Sequence, residues 1–96
     1  MYHVYLIKSQ KKDVFYIGYT KDIKRRLAEH NSGVIGYTKK YVPWDIAYYE
    51  TFLSLEDAKK REKGLKSFGR AYTNLKTRIK DSLDQMKRLN KIEGAG

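Results

Sequence analysis

The fold of this chain depends on the stretch from Tyr5 to His30, which reads YLIKSQKKDVFYIGYTKDIKRRLAEH. Its first half contains two short runs of β-branched and aromatic residues, separated by the polar, turn-like segment SQKKD. These runs predict two strands joined by a hairpin. The second half, which begins at Thr20, repeats its apolar residues at helical spacing. The sequence therefore predicts a hairpin that is followed directly by a helix.

Arg26 and His30 lie one turn apart on this predicted helix, at the edge of its apolar face. With about 100° per residue, both fall within about 60° of Ile23, and Leu27 lies on the same side. A purely structural helix usually turns its arginines toward water, as it does with Arg25. Two tyrosines on the preceding strands could therefore converge on one spot with an Arg/His pair.

Glu62 occupies an unusual position in a later helical segment. The same helical arithmetic places it at the centre of an apolar face, which consists of Leu55, Ala58 and Leu65. A carboxylate that points toward a core needs a cationic partner, a metal ion or a raised pKa. The residues alone leave open a structural salt bridge to an arginine or a metal site.

An ordered set of motifs in this chain resembles the GIY-YIG nuclease family. The first signature triplet is represented by Val4-Tyr5-Leu6, in which the tyrosine is kept, and the second, Tyr16-Ile17-Gly18, is complete. Arg26 follows ten residues after Tyr16, and His30 follows four residues after Arg26, as in the family pattern. The order and spacing of these parts make the resemblance specific, which no single triplet does.

Two further positions of the pattern lie in the second half of the chain. A glutamate on a later helix is matched by Glu62, and a polar residue twelve positions further on, often asparagine, is matched by Asn74. The resemblance covers residues 2–75. It is strongest toward the small single-domain members, which are related to the N-terminal catalytic domain of UvrC-type excision-repair nucleases.

The resemblance implies three residues that handle the phosphate and the metal. Glu62 is expected to be the one protein ligand of a divalent ion, and a hard oxygen ligand with several waters suits Mg²⁺ or Mn²⁺. Arg26 is expected to contact the scissile phosphate, because its planar fork matches phosphate oxygens. Asn74 is expected to hold the phosphate or the metal shell, although a polar residue in the first turns of a helix is equally ordinary.

The resemblance also implies roles for two tyrosines and the histidine. Tyr5 is expected to act as the general base with help from His30, and Tyr16 to orient the phosphate or the water; the opposite assignment of the tyrosines stays open. Many family members have a lysine or another polar residue after the second glycine, where this chain has Tyr19. Gly18 itself permits a close backbone approach or a bulge.

The remaining elements complete an α+β domain. Strands are predicted over residues 2–8, 14–19 and 45–52. A first helix is capped by Thr20 and runs to about His30, and a second runs from Ser54 to about Phe68. A third begins at about Arg70 and carries an apolar stripe, formed by Leu75, Ile79, Leu83, Met86 and Leu89. We expect a three-stranded, mainly antiparallel sheet flanked by helices in the order β-β-α-β-α-α.

The loop over residues 33–44 mixes lysines with aromatic residues. Lys39 and Lys40 are candidates for phosphate contact, and Trp44 is expected to pack on the sheet. Residues 1–90 are predicted to form a single domain, and residues 91–96 a flexible tail.

Composition favours a polyanionic partner. Lys and Arg number 21 against 11 Asp and Glu, for a net charge of +10. Such an excess raises the local concentration of nucleic acid, although it also serves solubility. The sequence has no cysteine, which excludes disulfides and thiolate metal sites. No long apolar run or secretory signal precedes Tyr2, which predicts a cytoplasmic protein with no membrane partner.

The expected function is a metal-dependent endonuclease that hydrolyses phosphodiester bonds in DNA, in repair or recombination. Its intrinsic sequence specificity is expected to be low, because relatives that cut at defined places carry extra DNA-binding modules; a protein partner could supply specificity. One alternative is a nucleic-acid-binding domain with weak or no catalysis. Another is a nuclease that acts on RNA or branched DNA, since the motif positions a phosphate and does not read bases.

Overall fold

The computed structural model describes the backbone of residues 1–95 and the side chains of residues 1–91. Three strands form one sheet: β1 (Tyr2–Ser9), β2 (Phe15–Thr20) and β3 (Trp44–Phe52). The helices are α1 (Ile23–Ser32), α2 (Leu55–Lys66), α3 (Arg70–Arg78) and α4 (Lys80–Ala95), and a short 3₁₀ helix spans Thr38–Tyr41. The order in the sheet is β2-β1-β3, and both pairings are antiparallel, which confirms the predicted α+β fold.

The central strand β1 is buried on both faces, because helices cover each side of the sheet. Val4 and Leu6 point to one face, where they form a core with residues of α2, α3 and α4. Tyr5 and Ile7 point to the opposite face and pack with Trp44 and with Leu27 of α1. The side chains of this strand therefore alternate between the two faces of the sheet, and this alternation directs Tyr5 toward α1.

The helix α1 begins one residue after Asp22, so the prediction that Thr20 caps it was wrong. The Asp22 side chain accepts a hydrogen bond of 3.0 Å from the backbone N–H of Arg25. Thr20 is the last residue of β2, and its hydroxyl instead accepts a bond of 3.1 Å from the backbone N–H of Asp22. At the other end, Gly33 adopts the left-handed conformation with φ of 80°, which terminates the helix at Ser32.

The predicted third helix is divided into α3 and α4 at Ile79. Its backbone leaves helical geometry there, with φ of −105° and ψ of 22°. The apolar stripe continues across the break, since Leu75, Ile79 and Leu83 are all buried in the same core. The stripe ends before Leu89, whose surface is 58% exposed. The bend therefore keeps both helices on the sheet, and only the last predicted member of the stripe faces water.

Trp44 ties three elements together, as the first residue of β3. Its indole Nε1–H donates to the backbone carbonyl of Thr38 at 2.9 Å. The Asn31 side chain accepts from the Trp44 backbone N–H at 2.6 Å and donates to its carbonyl at 3.0 Å. Trp44 is 1% exposed, so the expectation that it packs on the sheet is confirmed. The end of α1, the 3₁₀ helix and the start of β3 are consequently held as one unit.

The C-terminal part of the chain continues α4 to Ala95. The predicted flexible tail over residues 91–96 ends on Gly96, which lies outside the described residues, and it stays a prediction. Over the described part of the chain, no helix combines the length and the apolar composition that crossing a bilayer requires.

Candidate active site

His30 is completely buried at the end of α1, and both of its ring nitrogens have partners. Nε2 lies 2.9 Å from the Tyr5 hydroxyl, and Nδ1 lies 2.8 Å from the Thr38 hydroxyl. The Thr38 hydroxyl donates its own proton to the carbonyl of Ile35 at 3.3 Å, so its oxygen must accept from Nδ1–H. The bonding pattern therefore assigns the proton of the neutral ring to Nδ1 and leaves Nε2 to accept from Tyr5.

The position of the Tyr5 ring depends on Gly18, which faces it on the neighbouring strand. A Cβ at position 18 would lie 2.7 Å from Cζ of Tyr5 and still closer to its hydroxyl oxygen. Such contacts do not occur in folded proteins without a shift of the side chain. The glycine of the second motif therefore makes the space in which the tyrosine of the first motif reaches His30.

Burial keeps both members of the Tyr5–His30 pair neutral. It raises the pKa of Tyr5 to about 12, although a hydrogen bond from Arg26 opposes this shift. It also lowers the pKa of His30 to about 4, and the positive charge of Arg26 adds to the effect. At neutral pH the free protein therefore carries a phenol and an imidazole at this site.

Arg26 lies at the edge of the site, where its side chain is 36% exposed. Nη1 of its guanidinium donates to the Glu29 carboxylate at 3.2 Å. Its charge also faces the Tyr5 hydroxyl, and this contact raises the pKa of Arg26. Arg25 is exposed and points away, as predicted. Arg26 thus places a partly exposed fork of N–H donors beside the Tyr5–His30 pair.

Tyr16 packs against the same cluster from β2. Its ring centroid lies 4.9 Å from that of His30 and 6.5 Å from that of Tyr5. Nζ of Lys66 lies 5.4 Å from the Tyr16 ring centroid. A lysine from α2 therefore stands beside this tyrosine, while the position that follows the motif glycine carries Tyr19.

Glu62 is 18% exposed and pairs with Lys66, whose Nζ lies 3.3 Å from Oε2. Its partner is thus a lysine rather than an arginine, and the carboxylate lies at the margin of the core rather than at its centre. The negative charge of Glu62 contributes to the raised pKa of Tyr5, which places both groups in one electrostatic environment. The resemblance to the GIY-YIG family makes Glu62 the candidate metal ligand.

Glu62 is a single carboxylate, so a divalent ion bound to it must keep most of its water ligands. Among the described residues, no three His, Asp or Glu side chains are grouped so as to hold a metal. A single carboxylate with waters is a binding mode of Mg²⁺, and Glu62 supplies such an oxygen. The donor chemistry therefore fits one hydrated hard ion, and Lys66 now occupies the carboxylate.

The remaining predicted site residues lie outside this cluster. Lys39 and Lys40 are exposed on the 3₁₀ helix, directly after Thr38. Asn74 is exposed in the middle of α3, and no hydrogen bond of its side chain joins it to the cluster within the described part of the chain. The structure thus brings together Tyr5, Tyr16, Arg26 and His30, with Glu62 nearby, and leaves Asn74 apart.

Comparison with known proteins identifies the family. The model of the GIY-YIG catalytic domain matches residues 1–76. The chain belongs to the GIY-YIG family. It is 40% identical to a UPF0213 protein of Halobacterium salinarum over 72 residues, which cover 74% of this chain and 92% of that protein. A UPF0213 protein of Staphylococcus saprophyticus is 39% identical, with coverage of 72% and 84%.

A solved structure extends the likeness to three dimensions. The solution NMR structure of a UPF0213 protein from Bacillus halodurans matches with a TM-score of 0.51 and 30% identity. The match covers 83% of this chain and 86% of that one. The GIY-YIG domain is a nuclease domain that generally depends on divalent metal, so membership implies a nucleic-acid substrate.

Two residues of this GIY-YIG site were not predicted from the sequence. Thr38 fixes the tautomer of His30, but it lies in a segment whose path depends on Trp44, and no local signal marks it. Lys66 follows four residues after Glu62, a spacing at which helical side chains meet. That pair could have been found by the arithmetic that singled out Glu62.

The close approach of Tyr5 and Gly18 predicts a coupled pair of substitutions. Gly18→Ala should lower the free energy of unfolding by about 1–3 kcal/mol, the usual cost of overpacking. Tyr5→Phe removes the hydroxyl oxygen, the atom nearest to the added methyl group. In urea unfolding, the double variant should therefore lose less stability than the sum of the two single variants. Strictly additive losses would show that the methyl group is accommodated elsewhere.

The neutral state of buried His30 predicts that stability depends on pH. A free histidine takes up a proton near pH 6.5, whereas His30 in the fold does so near pH 4. The unfolded state binds more protons between these values, so stability that is present above pH 6.5 is lost as the pH falls toward 4. This difference between the two pKa values corresponds to a loss of about 3 kcal/mol in the free energy of unfolding.

His30→Gln provides the control, because glutamine does not titrate. Urea unfolding of both proteins at several pH values separates the contribution of His30 from that of the carboxylates. We expect the loss between pH 6.5 and 4 to be smaller in the variant by about 3 kcal/mol. The same pH dependence in both proteins would mean that His30 takes up its proton at the same pH in the folded and unfolded states.

Proposed function

We propose that this GIY-YIG domain is a divalent-metal-dependent endonuclease that hydrolyses phosphodiester bonds in DNA. The observation that carries the proposal is the buried chain of hydrogen bonds from Tyr5 through His30 to Thr38, with Arg26 beside the Tyr5 hydroxyl. A tyrosine with a buried acceptor on one side and a cation on the other has the parts for moving a proton near a phosphate.

Arg26 is proposed to bind the scissile phosphate. Its guanidinium is partly exposed, and among the side chains that the structure describes its carboxylate partner is Glu29 on the same helix, at 3.2 Å. The fork can therefore present further N–H donors to phosphate oxygens and stabilise the charge that grows on them in the transition state. Lys39 and Lys40 are proposed to hold the neighbouring backbone, and the net charge of +10 favours the encounter.

Tyr5 is proposed to be the general base, since its hydroxyl bonds to the imidazole nitrogen that accepts. The attacking water gives a proton to the Tyr5 oxygen while Tyr5 gives its own proton to Nε2 of His30. The water oxygen then bonds to phosphorus as the bond to the leaving oxygen breaks, and this oxygen departs as an alkoxide that takes up a proton from solvent. The His30 cation would donate from both nitrogens, while Thr38 keeps its bond to Ile35. This transfer requires no rearrangement of the chain of hydrogen bonds.

Substrate binding is proposed to make this proton transfer easier. The positive charge of Arg26 contributes to the low pKa of His30 in the free protein. A phosphate that pairs with Arg26 offsets this charge, and it favours a cation on His30 through its own negative charge. Tyr16, packed on His30, is proposed to orient the phosphate or the water. The basicity of the site therefore rises when the substrate is present.

Glu62 is proposed to hold the divalent ion, Mg²⁺ or Mn²⁺. When bound, such an ion supplies positive charge to the leaving oxygen. Asn74 is proposed to assist at the phosphate or the metal shell. Sequence specificity is proposed to be low, with a protein partner to supply it, and the setting to be DNA repair or recombination in the cytoplasm.

One alternative function has an observation in its favour. Glu62 is neutralised by Lys66, and both Tyr5 and His30 are uncharged in the free protein. A domain that binds nucleic acid without cutting it needs Arg26 and the lysines but neither a metal ligand nor a base. The deciding experiment incubates the protein with supercoiled, linear, single-stranded and branched DNA and with RNA, each with Mg²⁺, with Mn²⁺ and with EDTA. Binding without cleavage of any substrate would favour the alternative.

Arg26 and Arg25 form a matched pair of adjacent arginines for testing the phosphate contact. Arg26→Ala should lower the cleavage rate by at least about two orders of magnitude, the scale of a lost transition-state contact. Arg25→Ala removes an equal charge from an exposed position, so it should only weaken binding. Single-turnover nicking assays at saturating protein measure both. Equal damage from the two substitutions would mean that charge alone, not position, accounts for the effect.

Glu62→Gln separates the nuclease from the binding domain. It should abolish metal-dependent cleavage and leave DNA affinity unchanged or tighter, because one negative charge near the phosphate is removed. Stability should change by no more than about 1 kcal/mol, since a partly exposed pair with a lysine contributes little. Melting curves and nicking assays on the same samples measure these effects. Glu56→Gln, on the exposed face of the same helix, is the control.

A further inference from the structure

Lys66 contacts two members of the candidate active site at once. Its Nζ lies 3.3 Å from Oε2 of Glu62 and 5.4 Å from the ring centroid of Tyr16. The side chain is 43% exposed, and it lines an open groove of about 260 Å³ beside Tyr16 and Tyr37. A flexible cation at the mouth of a groove, within reach of the catalytic cluster, can change partners without a change in the fold.

The Glu62–Lys66 pair has ordinary i,i+4 helical spacing, but its carboxylate is less exposed than that of a typical surface pair. The same helix carries such a pair between Lys59 and Glu56, which are 4.0 Å apart and 47% and 74% exposed. Glu62, by contrast, is 18% exposed and is the candidate metal ligand. A carboxylate so little exposed gains more from a cation than one in open water does. In the free protein, Lys66 therefore provides the charge that compensates Glu62.

We propose that Lys66 and the divalent ion exchange places on Glu62, and that the released ammonium then binds the substrate phosphate. The proposal rests on the assignment of Glu62 as the metal ligand. Two cations cannot share one small carboxylate without repulsion, so binding of the metal displaces Lys66. In the free protein, the Lys66 side chain already lines the groove beside Tyr16, so it can enter this groove when the metal displaces it. Lys66 is thus a positioning residue that couples loading of the metal to binding of DNA.

The first half of the test measures the metal by itself. Electron paramagnetic resonance of free Mn²⁺ gives the affinity of the wild type, Lys66→Gln, the control Lys59→Gln and Glu62→Gln. Removal of the competing ammonium should tighten Mn²⁺ binding about two- to fivefold, the range that partly exposed ion pairs span. Lys59→Gln should bind Mn²⁺ like the wild type, and Glu62→Gln should lose the site.

The second half measures the coupling to DNA without cleavage. A Tyr5→Phe background removes the proposed base, and DNA affinity is determined by anisotropy with and without saturating Mn²⁺. Without metal, Lys66→Gln should bind DNA no more weakly than Lys59→Gln, because Lys66 is occupied by Glu62. With Mn²⁺, Lys66→Gln should lose about two- to fivefold in affinity relative to Lys59→Gln, since the released cation is missing.

Each outcome tests a different step of the proposed exchange. Equal Mn²⁺ affinity in wild type and Lys66→Gln would overturn the competition. Tighter Mn²⁺ binding with no Mn²⁺-dependent loss of DNA affinity would overturn the transfer to phosphate. If the wild type shows no Mn²⁺ binding that depends on Glu62, the metal assignment itself fails and the exchange fails with it. Because neither readout requires cleavage, an inactive wild type would contradict the proposed nuclease and leave the exchange measurable.

Discussion

A buried, neutral imidazole is the constraint on which the rest of this structure depends. His30 is completely enclosed, so each of its nitrogens must find a partner inside the protein. A buried polar group without one costs about 1–3 kcal/mol, a large part of the stability of a small domain. The partners are Tyr5 of β1 and Thr38 of the 3₁₀ helix, and both elements must be positioned so that their hydroxyl groups reach the imidazole. The groups that form the candidate active site are therefore also groups that determine the fold.

This double use explains why several unremarkable residues hold fixed positions. Gly18 contributes no side chain, yet the Tyr5 ring needs its space. Trp44 is buried, yet its indole holds the carbonyl of Thr38, whose hydroxyl holds His30. Asn31 in turn holds the backbone of Trp44. A substitution at such a position would disturb the chemistry through the packing, without any contact with a substrate.

Much of the fold and of the site could be predicted because the signals are local. The alternation in β1 fixed which side chains share a face, and the helical arithmetic placed Arg26 and His30 on the side that meets Tyr5. Where two local signals compete, prediction failed. Thr20 and Asp22 are both capping residues, and the strand simply continues through the first of them. The break at Ile79 left no trace in the apolar spacing, which continues through both helices.

What could not be predicted depends on how distant segments meet. Thr38 acquires its importance from the path of the segment over residues 33–44, which is set by packing against Trp44. Lys66 is a different case, because its spacing from Glu62 was visible in the sequence. An arginine was one alternative for the partner of Glu62, whereas the helix itself supplies a lysine one turn away. Local and tertiary candidates for the partner of a partly buried carboxylate deserve equal weight when only a sequence is known.

The attachment of Trp44 has a practical consequence for experiments in solution. It is the one tryptophan of the chain, it is 1% exposed, and its indole N–H is bonded to the residue that orients His30. Its emission therefore reports on the environment directly behind the candidate active site rather than on a remote part of the fold. The natural sequence thus already contains an optical probe, and opening of this segment can be followed without a label.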